Sequence, residues 1–191
     1  MNKPFIITGA SASGKSTLVN EAIDDGYIYL PTHMTRKPRL NEINNKDAIF
    51  LTNEAFEENF NNGLYIEESL SFAKLQALNI YYGTPVKWLE YLKNNGYFAT
   101  PVSTTIASII YEQLQDLTWV HLYCNDDDRF KRLMNRGYTD EEINIRMSSG
   151  DSINIPESAN LIINTSIETP DQIMKKIRRI KWVVYMKIVK Q

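Results

Sequence analysis

The chain has 191 residues, of which 43% are hydrophobic, and this length and composition predict one compact domain rather than a repeat or disordered protein. The formal net charge is −2, but seven basic residues at positions 174–191 leave the rest of the chain acidic, which argues against a general nucleic-acid binder. No leader pattern or run of eighteen apolar residues occurs, so we expect a cytoplasmic protein without a membrane span. The single cysteine, Cys124, excludes an intrachain disulfide and is predicted to be a buried small side chain.

The first predicted elements are a buried strand at residues 5–8, a loop that matches G-x-x-x-x-G-K-[ST], and a helix from residue 15 to residue 24. Such a loop directs backbone N–H groups at an anion, and the helix N-terminus adds a favourable dipole. Its lysine reaches the β- and γ-phosphates of a nucleotide, and the next hydroxyl holds Mg²⁺. We therefore predict that Lys15 is catalytic, that Ser16 is a metal ligand, and that ATP binds Gly9, Ala10, Ser11, Ala12, Ser13, Gly14, Lys15, Ser16 and Thr17.

Further apolar runs predict strands at residues 27–30, 97–102, 119–124 and 161–164, and helical patterns lie between most of them. This alternation is typical of a parallel sheet covered by helices. We predict an α/β protein of the P-loop NTPase fold, with a parallel five-stranded sheet flanked by helices. Residues 1–30, 84–135 and 152–191 are predicted to form its core, residues 31–83 an inserted acceptor-binding subdomain, and residues 136–151 a lid.

Several helix signals can be read directly. Thr84 and Pro85 fit an N-cap and a first helical position, and the acidic run at residues 126–128 predicts a helix that buries Phe130, Leu133 and Met134. Capping boxes open two further helices, at Thr139 and Thr169. His33 and His121 are interpreted as structural.

Three more motifs follow the phosphate loop, and together they identify a family resemblance. The chain reads T-H-M-T-R-K-P-R-L-N-E at residues 32–42, Y-I-E at residues 65–67 and Y-Y-G-T at residues 81–84. In this order they resemble the guanylate kinase family, whose acceptor region reads S-x-T-T-R-x-P-R-x-G-E, then F-I-E, then Y-G-T. The resemblance runs from Pro4 to about Ile180 and implies Mg²⁺-dependent phosphoryl transfer from ATP to a nucleoside monophosphate, GMP or dGMP.

The resemblance also implies roles for individual residues. Arginines and a tyrosine grip the acceptor phosphate, while hydroxyl groups and a carboxylate read the base; the acceptor residues are Thr32, Arg36, Arg39, Glu67, Tyr82, Gly83 and Thr84. Lid arginines close on the transferring phosphoryl group, so Arg36, Arg136 and Arg146 join Lys15 as catalytic candidates. Two residues are assigned to the donor side, Arg132 and Asn164.

Four departures from the family pattern leave the acceptor base open. Ala12 replaces a loop glycine, which is tolerated if its φ stays negative, and Ala48 replaces a tyrosine that contacts the acceptor phosphate. The predicted strand at residues 97–102 lacks the family's acidic pair. The segment at residues 68–80 is longer and more apolar than the family's turn.

Other functions stay open at this point. A kinase for a different phosphorylated acceptor, such as a modified mononucleotide or a sugar phosphate, would keep the same phosphate loop. A non-catalytic interaction module would typically lack the loop lysine and the acceptor arginines, which this chain keeps. A GTPase switch would need D-x-x-G and N-K-x-D motifs in suitable context, and neither is present. The predicted partners are ATP and a nucleoside monophosphate, and the sequence predicts no oligomeric state.

Overall fold

A computed structural model describes residues 4–40, 42–44, 46–66, 78–94, 98–114, 117–148 and 155–180. Strands and helices alternate over most of this length. The strands are β1 (Phe5–Thr8), β2 (Ile28–Tyr29), β3 (His33–Met34), β4 (Ile49–Phe50), β5 (Tyr82–Gly83), β6 (Phe98–Pro101), β7 (Thr118–Tyr123) and β8 (Leu161–Asn164). The helices are α1 (Lys15–Asp24), α2 (Asn53–Asn61), α3 (Lys87–Asn94), α4 (Thr104–Gln113), α5 (Asp126–Met134), α6 (Asp140–Ser148) and α7 (Pro170–Arg179).

The main sheet has five parallel strands in the order β2-β6-β1-β7-β8, which confirms the predicted fold class. Strand β1 lies at the centre, with Ile6 opposite Thr100 on one side and opposite Trp119 on the other. All four residues of β1 are buried, as a run of Phe and Ile between two neighbouring strands requires. The carboxyl ends of the five strands meet at one edge, where open α/β sheets bind ligands.

Helices cover both faces of this sheet. On one face, Leu18 and Val19 of α1 pack with Ile173 and Ile177 of α7 against the strands. On the other face, Ile106 and Ile110 of α4 pack with Trp88 of α3 against Ile6 and Trp119. The resulting three layers hold the start of α1 rigidly beside the end of β1, and that junction carries the phosphate loop.

A second, three-stranded sheet lies within residues 31–83 and was not predicted. Strand β3 pairs with β4 in parallel and with β5 in antiparallel orientation. Gly83 of β5 packs on aromatic rings, because a Cβ at this position would lie 2.8 Å from the Tyr65 ring and 2.9 Å from the Phe56 ring. Strands of two residues carry no readable alternation, which explains why the sequence did not reveal them.

Two sequence predictions about helices are wrong. The helix predicted to begin at Thr84–Pro85 begins instead at Lys87, because the backbone of residues 64–66 pairs with that of residues 84–86 through the Ile66 N–H to Thr84 carbonyl bond and the Val86 N–H to Leu64 carbonyl bond. Helix α5 buries Leu133 but leaves Phe130 and Met134 40% and 52% exposed. It buries Arg129 instead, whose guanidinium reaches backbone carbonyls, as described below.

Both predicted capping boxes are confirmed. The Thr139 hydroxyl accepts from the Glu142 N–H while the Glu142 carboxylate accepts from the Thr139 N–H, and Thr169 and Gln172 make the same reciprocal pair at α7. Among the described residues, no helix is long and apolar enough to cross a membrane. The division into core, inserted subdomain and lid stays a prediction.

Candidate active site

The loop between β1 and α1 has the backbone that its glycines predict. Gly9 has φ +136°, and a Cβ there would lie 2.0 Å from the Leu122 carbonyl oxygen, so no other residue fits. Gly14, at φ +100°, precedes the first turn of α1. The Lys15 ammonium donates to the carbonyl oxygens of Gly9, at 2.5 Å, and Ala10, at 2.7 Å. The Lys15 side chain therefore folds back across the loop and links the start of α1 to the residues that follow β1.

The loop residues fit a bound nucleotide phosphate and its metal. The Ser13 hydroxyl is buried in the loop and has no hydrogen-bond partner among the residues that the structure describes, so a polar atom is available there for a ligand. Ser16 is exposed in the first turn of α1. Within the described ranges, no group of three or more His, Cys, Asp or Glu side chains could hold a metal ion. The exposed Ser16 hydroxyl is a hard oxygen donor of the kind that Mg²⁺ prefers, so its role as a metal ligand stays a prediction.

Ala12 has φ +67°, so the negative φ that would make an alanine easy to tolerate at this position is not present. A residue with a Cβ pays about 1–2 kcal/mol for this left-handed conformation. The methyl group compensates, since Ala12 is 4% exposed and belongs to a small apolar cluster with Leu133 of α5 and Ile143 of α6. The alanine thus packs the phosphate loop against α5, which precedes the predicted lid, and against α6, which lies within it.

We expect Ala12→Gly to change the free energy of unfolding by less than about 1 kcal/mol. The relief of left-handed strain, about 1 kcal/mol, offsets the loss of one buried methyl group, about 0.8 kcal/mol. The matched control is Ala22→Gly in the interior of α1, where Ala22 is fully buried. There the lower helix propensity of glycine and the loss of a buried methyl group add, so the free energy of unfolding should fall by about 2 kcal/mol. Urea unfolding of both variants measures the difference, and equal losses would contradict the strain at Ala12.

An arginine cluster lies on the segment that follows β3. Arg36 donates through both terminal nitrogens to the Glu42 carboxylate, at 2.6 and 2.7 Å. Arg39 binds the same carboxylate through its side chain, at 2.9 Å, and its backbone N–H, at 2.8 Å. The Arg36 guanidinium also lies over the Phe50 ring. One carboxylate therefore holds both arginines that were predicted to bind the acceptor phosphate.

The pKa shifts in this cluster show an excess of positive charge. Burial would raise the pKa of Glu42, but hydrogen bonds from the Arg36 side chain and the Arg39 backbone lower it to about 2. Arg136 is close enough to feel the same charges: burial lowers its pKa, and the positive charges of Arg39 and Arg36 lower it further. Three guanidinium groups thus lie near one carboxylate, an arrangement that favours a second anion such as a phosphate.

Two residues that the sequence did not single out connect this cluster to the phosphate loop. The Tyr138 hydroxyl accepts hydrogen bonds from Nε and Nη2 of Arg39, at 3.1 and 2.9 Å, and the Arg146 guanidinium lies 4.1 Å from the Tyr138 ring centre. Arg129, which is 4% exposed, donates to the Arg146 carbonyl and, at 3.0 Å, to the Ser11 carbonyl. A continuous path of contacts therefore runs from Arg39 through Tyr138, Arg146 and Arg129 to the Ser11 carbonyl of the phosphate loop. Neither Tyr138 nor Arg129 belongs to a motif or a periodic pattern, so the sequence gives no signal for these contacts.

The predicted base-reading residues lie near the ends of β2 and β6. Thr32 is buried, and its hydroxyl donates to the Pro101 carbonyl at 3.3 Å. Thr84 is buried on the neighbouring segment, and Val102, also buried, follows β6 where the family has an acid. Burial lowers the pKa of Arg36, but the hydrogen bonds and charge of Glu42 raise it above its usual value, and the neighbouring Tyr82 contributes less in the same direction. Glu67 lies outside the described residues.

The predicted donor-side residues meet at the turn after β8. Arg132 donates to the Ala12 carbonyl at 3.2 Å and to both the hydroxyl and carbonyl oxygens of Thr165, at 2.9 and 2.8 Å. The Thr165 hydroxyl in turn donates to the Ser13 carbonyl at 2.9 Å. The Asn164 amide contacts Asn125 and the Ser166 N–H. Arg132 therefore contacts the phosphate loop directly, and Asn164 lies next to Thr165, which contacts it too.

The histidines and the cysteine have structural surroundings, as predicted. Burial, with a smaller contribution from Lys87, lowers the pKa of His33 to about 4, and its Nδ1 lies 2.9 Å from the Tyr65 hydroxyl. His121 Nδ1 lies 2.9 Å from the Thr8 hydroxyl inside the sheet. Burial raises the pKa of the Cys124 thiol, which makes it a poor nucleophile at neutral pH.

The family model for guanylate kinase matches residues 1–148. The chain belongs to the guanylate kinase family. A guanylate kinase of Protochlamydia amoebophila is 31% identical over 135 residues, which make up 69% of this chain and 66% of that protein. A guanylate kinase of Aster yellows witches'-broom phytoplasma is 32% identical over 147 residues, 74% of this chain and 66% of that protein. The chain thus covers just under two thirds of the length of each of these guanylate kinases.

Solved structures agree with the guanylate kinase fold. The crystal structure of guanylate kinase from Anaplasma phagocytophilum aligns with a TM-score of 0.63 at 20% identity, covering 93% of this chain and 85% of that one. A gluconokinase from Sinorhizobium meliloti aligns with a TM-score of 0.52 at 14% identity, covering 93% of this chain and 90% of that one. At these identities the structures support the fold and leave the acceptor to be argued from the site.

Proposed function

We propose that this guanylate kinase family member transfers the γ-phosphoryl group of ATP to the phosphate of a nucleoside monophosphate. The observation that carries the proposal is the arginine cluster of Arg36, Arg39 and Arg136 around Glu42, joined by contacts to a phosphate loop that keeps its lysine. A second anion site beside a nucleotide loop suits an acceptor that is itself a phosphate. A neutral acceptor would not interact with the excess positive charge of the arginine cluster.

The residues divide the work between the two substrates. Lys15 and the backbone of the loop bind the donor phosphates, and Arg36 and Arg39 orient the acceptor phosphate as bidentate donors. An acceptor phosphate is already an anionic nucleophile, so we assign no general base. When bound, Mg²⁺ neutralises charge on the donor phosphates, and Ser16 would hold it.

The remaining catalytic candidates belong to the predicted lid. Arg136 and Arg146 would face the phosphoryl group during transfer and stabilise charge that is spread over its oxygens. Closing such a lid also removes water, which would otherwise compete with the acceptor phosphate. In the present arrangement Arg146 is 2% exposed under Tyr138, so a rotation of this pair would accompany substrate binding.

The base of the acceptor is the part of the site that differs from the family pattern. Thr32 and Thr84 supply hydroxyl groups for a guanine-like edge, but Val102 provides no acceptor for an exocyclic amine. Leaving that amine unpartnered costs about 1–3 kcal/mol, or roughly ten- to a hundredfold in discrimination. We propose that GMP and dGMP are weak or outcompeted substrates. Because the acidic side chain is missing at position 102, a modified mononucleotide or a sugar phosphate is the alternative acceptor.

A panel assay tests the reaction. Purified protein with Mg²⁺ and ATP is given GMP, dGMP, AMP, CMP, UMP, IMP, glucose 6-phosphate and gluconate in turn, and ADP release is followed by a coupled assay. We expect ADP release with at least one phosphorylated acceptor and none above background with gluconate. ATP hydrolysis that no acceptor accelerates would contradict the proposal, and the use of sugar phosphates alone would establish the alternative.

An acidic side chain at position 102, beside the predicted site for the acceptor base, should raise kcat/KM for GMP more than for other acceptors. Val102→Asp is expected to raise kcat/KM for GMP about tenfold relative to AMP and IMP, since it returns one buried acceptor for the amine. Val102 packs with Ile6, Leu30 and Ile106, so the neutral Val102→Asn is measured beside it, and Val102→Leu serves as the matched control, with a similar shape and no side-chain acceptor. Thermal unfolding confirms that each variant is folded. A wild-type chain that uses GMP efficiently and rejects other monophosphates would overturn this base assignment.

A further inference from the structure

Tyr138 lies in the turn between α5 and α6 and contacts one arginine from each side of the proposed reaction. Its hydroxyl accepts from two nitrogens of Arg39, and its ring faces the guanidinium of Arg146 at 4.1 Å. Arg39 belongs to the acceptor-binding segment, whereas Arg146 belongs to α6 in the predicted lid. These two arginines are more than 100 positions apart in the chain, and Tyr138 touches both.

The two contacts use different parts of the side chain. Two N–H groups converging on one hydroxyl oxygen fix the direction of the Arg39 guanidinium. The ring holds the Arg146 guanidinium by a cation–π contact, which strengthens where the partners are removed from water, and Arg146 is 2% exposed. Because the hydroxyl and the ring act separately, a substitution can remove one contact and keep the other.

Arg39 is shared between Tyr138 and Glu42. Its Nη1 donates to the Glu42 carboxylate, while Nε and Nη2 donate to Tyr138. An acceptor phosphate that binds Arg39 competes for the same donors. Any rotation of Arg39 towards the phosphate therefore changes the contact with Tyr138 and, through its ring, the position of Arg146.

We propose that Tyr138 is a positioning residue that couples acceptor binding at Arg39 to the placement of the lid arginine Arg146. The inference rests on the proposed function and extends it, since it assigns a linking role to a residue that is not among the predicted substrate-binding residues. Arg129 strengthens the link on its other side, because it ties the Arg146 backbone to the phosphate loop through the Ser11 carbonyl.

Two variants separate the two contacts in a steady-state assay with the best acceptor from the panel. Tyr138→Phe keeps the ring and loses the bonds to Arg39, so we expect acceptor KM to rise three- to tenfold with kcat within twofold of the wild type. Tyr138→Leu loses both contacts, so kcat should also fall at least tenfold; Tyr138→Met is the second variant, used if the leucine variant fails to fold. KM for ATP should stay within twofold throughout.

The matched control is Tyr111→Phe. It removes a hydroxyl that also accepts a side-chain hydrogen bond, from Asn160 at 2.8 Å, but Asn160 directly precedes β8, at the amino edge of the sheet. It should leave both constants unchanged. In an Arg39→Ala background, Tyr138→Phe should add less than a twofold further rise in acceptor KM, because the hydroxyl acts through Arg39.

The results of these assays distinguish a failure of the Tyr138 coupling from a failure of the proposed phosphoryl transfer. A wild-type chain without transfer to any acceptor would overturn the proposed function and this inference together. An active wild type with a folded Tyr138→Leu or Tyr138→Met variant of normal kcat would overturn the coupling alone. So would a Tyr138→Phe variant whose kcat falls as far as that of Tyr138→Leu, since the ring would then have no role of its own.

Discussion

Lys15→Ala is expected to lower kcat for phosphoryl transfer by at least about 100-fold, because the proposed function places the ammonium group at the donor phosphates. In the structure it spans the loop and donates to the carbonyls of Gly9 and Ala10. Its bonds to the loop are replaceable by water, so the helices and strands should remain intact. The measurement is ADP release at saturating ATP and acceptor, together with far-ultraviolet circular dichroism.

Lys175→Ala is the matched control for Lys15→Ala. Lys175 pairs with Asp171 on the exposed side of α7, and such surface pairs contribute only about 0–1 kcal/mol. Its removal should change neither kcat nor the unfolding midpoint noticeably. If Lys15→Ala retained normal turnover while remaining folded, the phosphate loop would not be the donor site.

Arg36→Ala is expected to raise acceptor KM and to lower kcat, each by about ten- to a hundredfold, while KM for ATP stays within twofold. Arg36 supplies the bidentate face of the arginine cluster, and the Glu42 bond that aligns it leaves the cluster positively charged. Steady-state kinetics with each substrate varied in turn measure the three constants.

Arg36→Lys is the matched control for Arg36→Ala. The lysine restores the charge without the planar fork, so we expect it to recover part of the acceptor KM and little of kcat. Loss of ATP affinity in both variants would place Arg36 at the donor side and contradict the assignment. Glu42 stays ionised in either case at neutral pH, because Arg39 still donates to it from its side chain and its backbone.

Local signals allowed much of the fold to be predicted from the sequence. The phosphate loop combines a buried strand, two obligatory glycines and an amphipathic helix, so the bounds of α1 followed directly. The capping boxes at Thr139 and Thr169 rest on residues three apart, and both occur as predicted. The assigned roles of the site residues stay predictions, since no bound substrate tests them.

The errors arose where tertiary contacts overrode a local pattern. Phe130 and Met134 have helical spacing, but α5 turns Arg129 inward because two backbone carbonyls satisfy its guanidinium. Ala12 takes a left-handed conformation because its methyl group packs on Leu133 and Ile143, which lie more than 100 residues away. Tyr138 contacts Arg39 and Arg146, which lie on two separate segments of the chain, and no local sequence pattern predicts such a contact.

The position of β1 at the centre of the sheet has a consequence for the folding of the newly made chain. Although β1 leaves the ribosome first, its neighbours are β6 and β7, whose residues are synthesised about ninety or more positions later. Long-range parallel pairing of this kind is slow, and until it forms the Phe5–Ile7 segment exposes apolar surface. The loop at Gly9 cannot close on the Leu122 carbonyl before that residue exists. Binding of a nucleotide at this loop, as proposed, therefore has to wait until most of the chain has been synthesised.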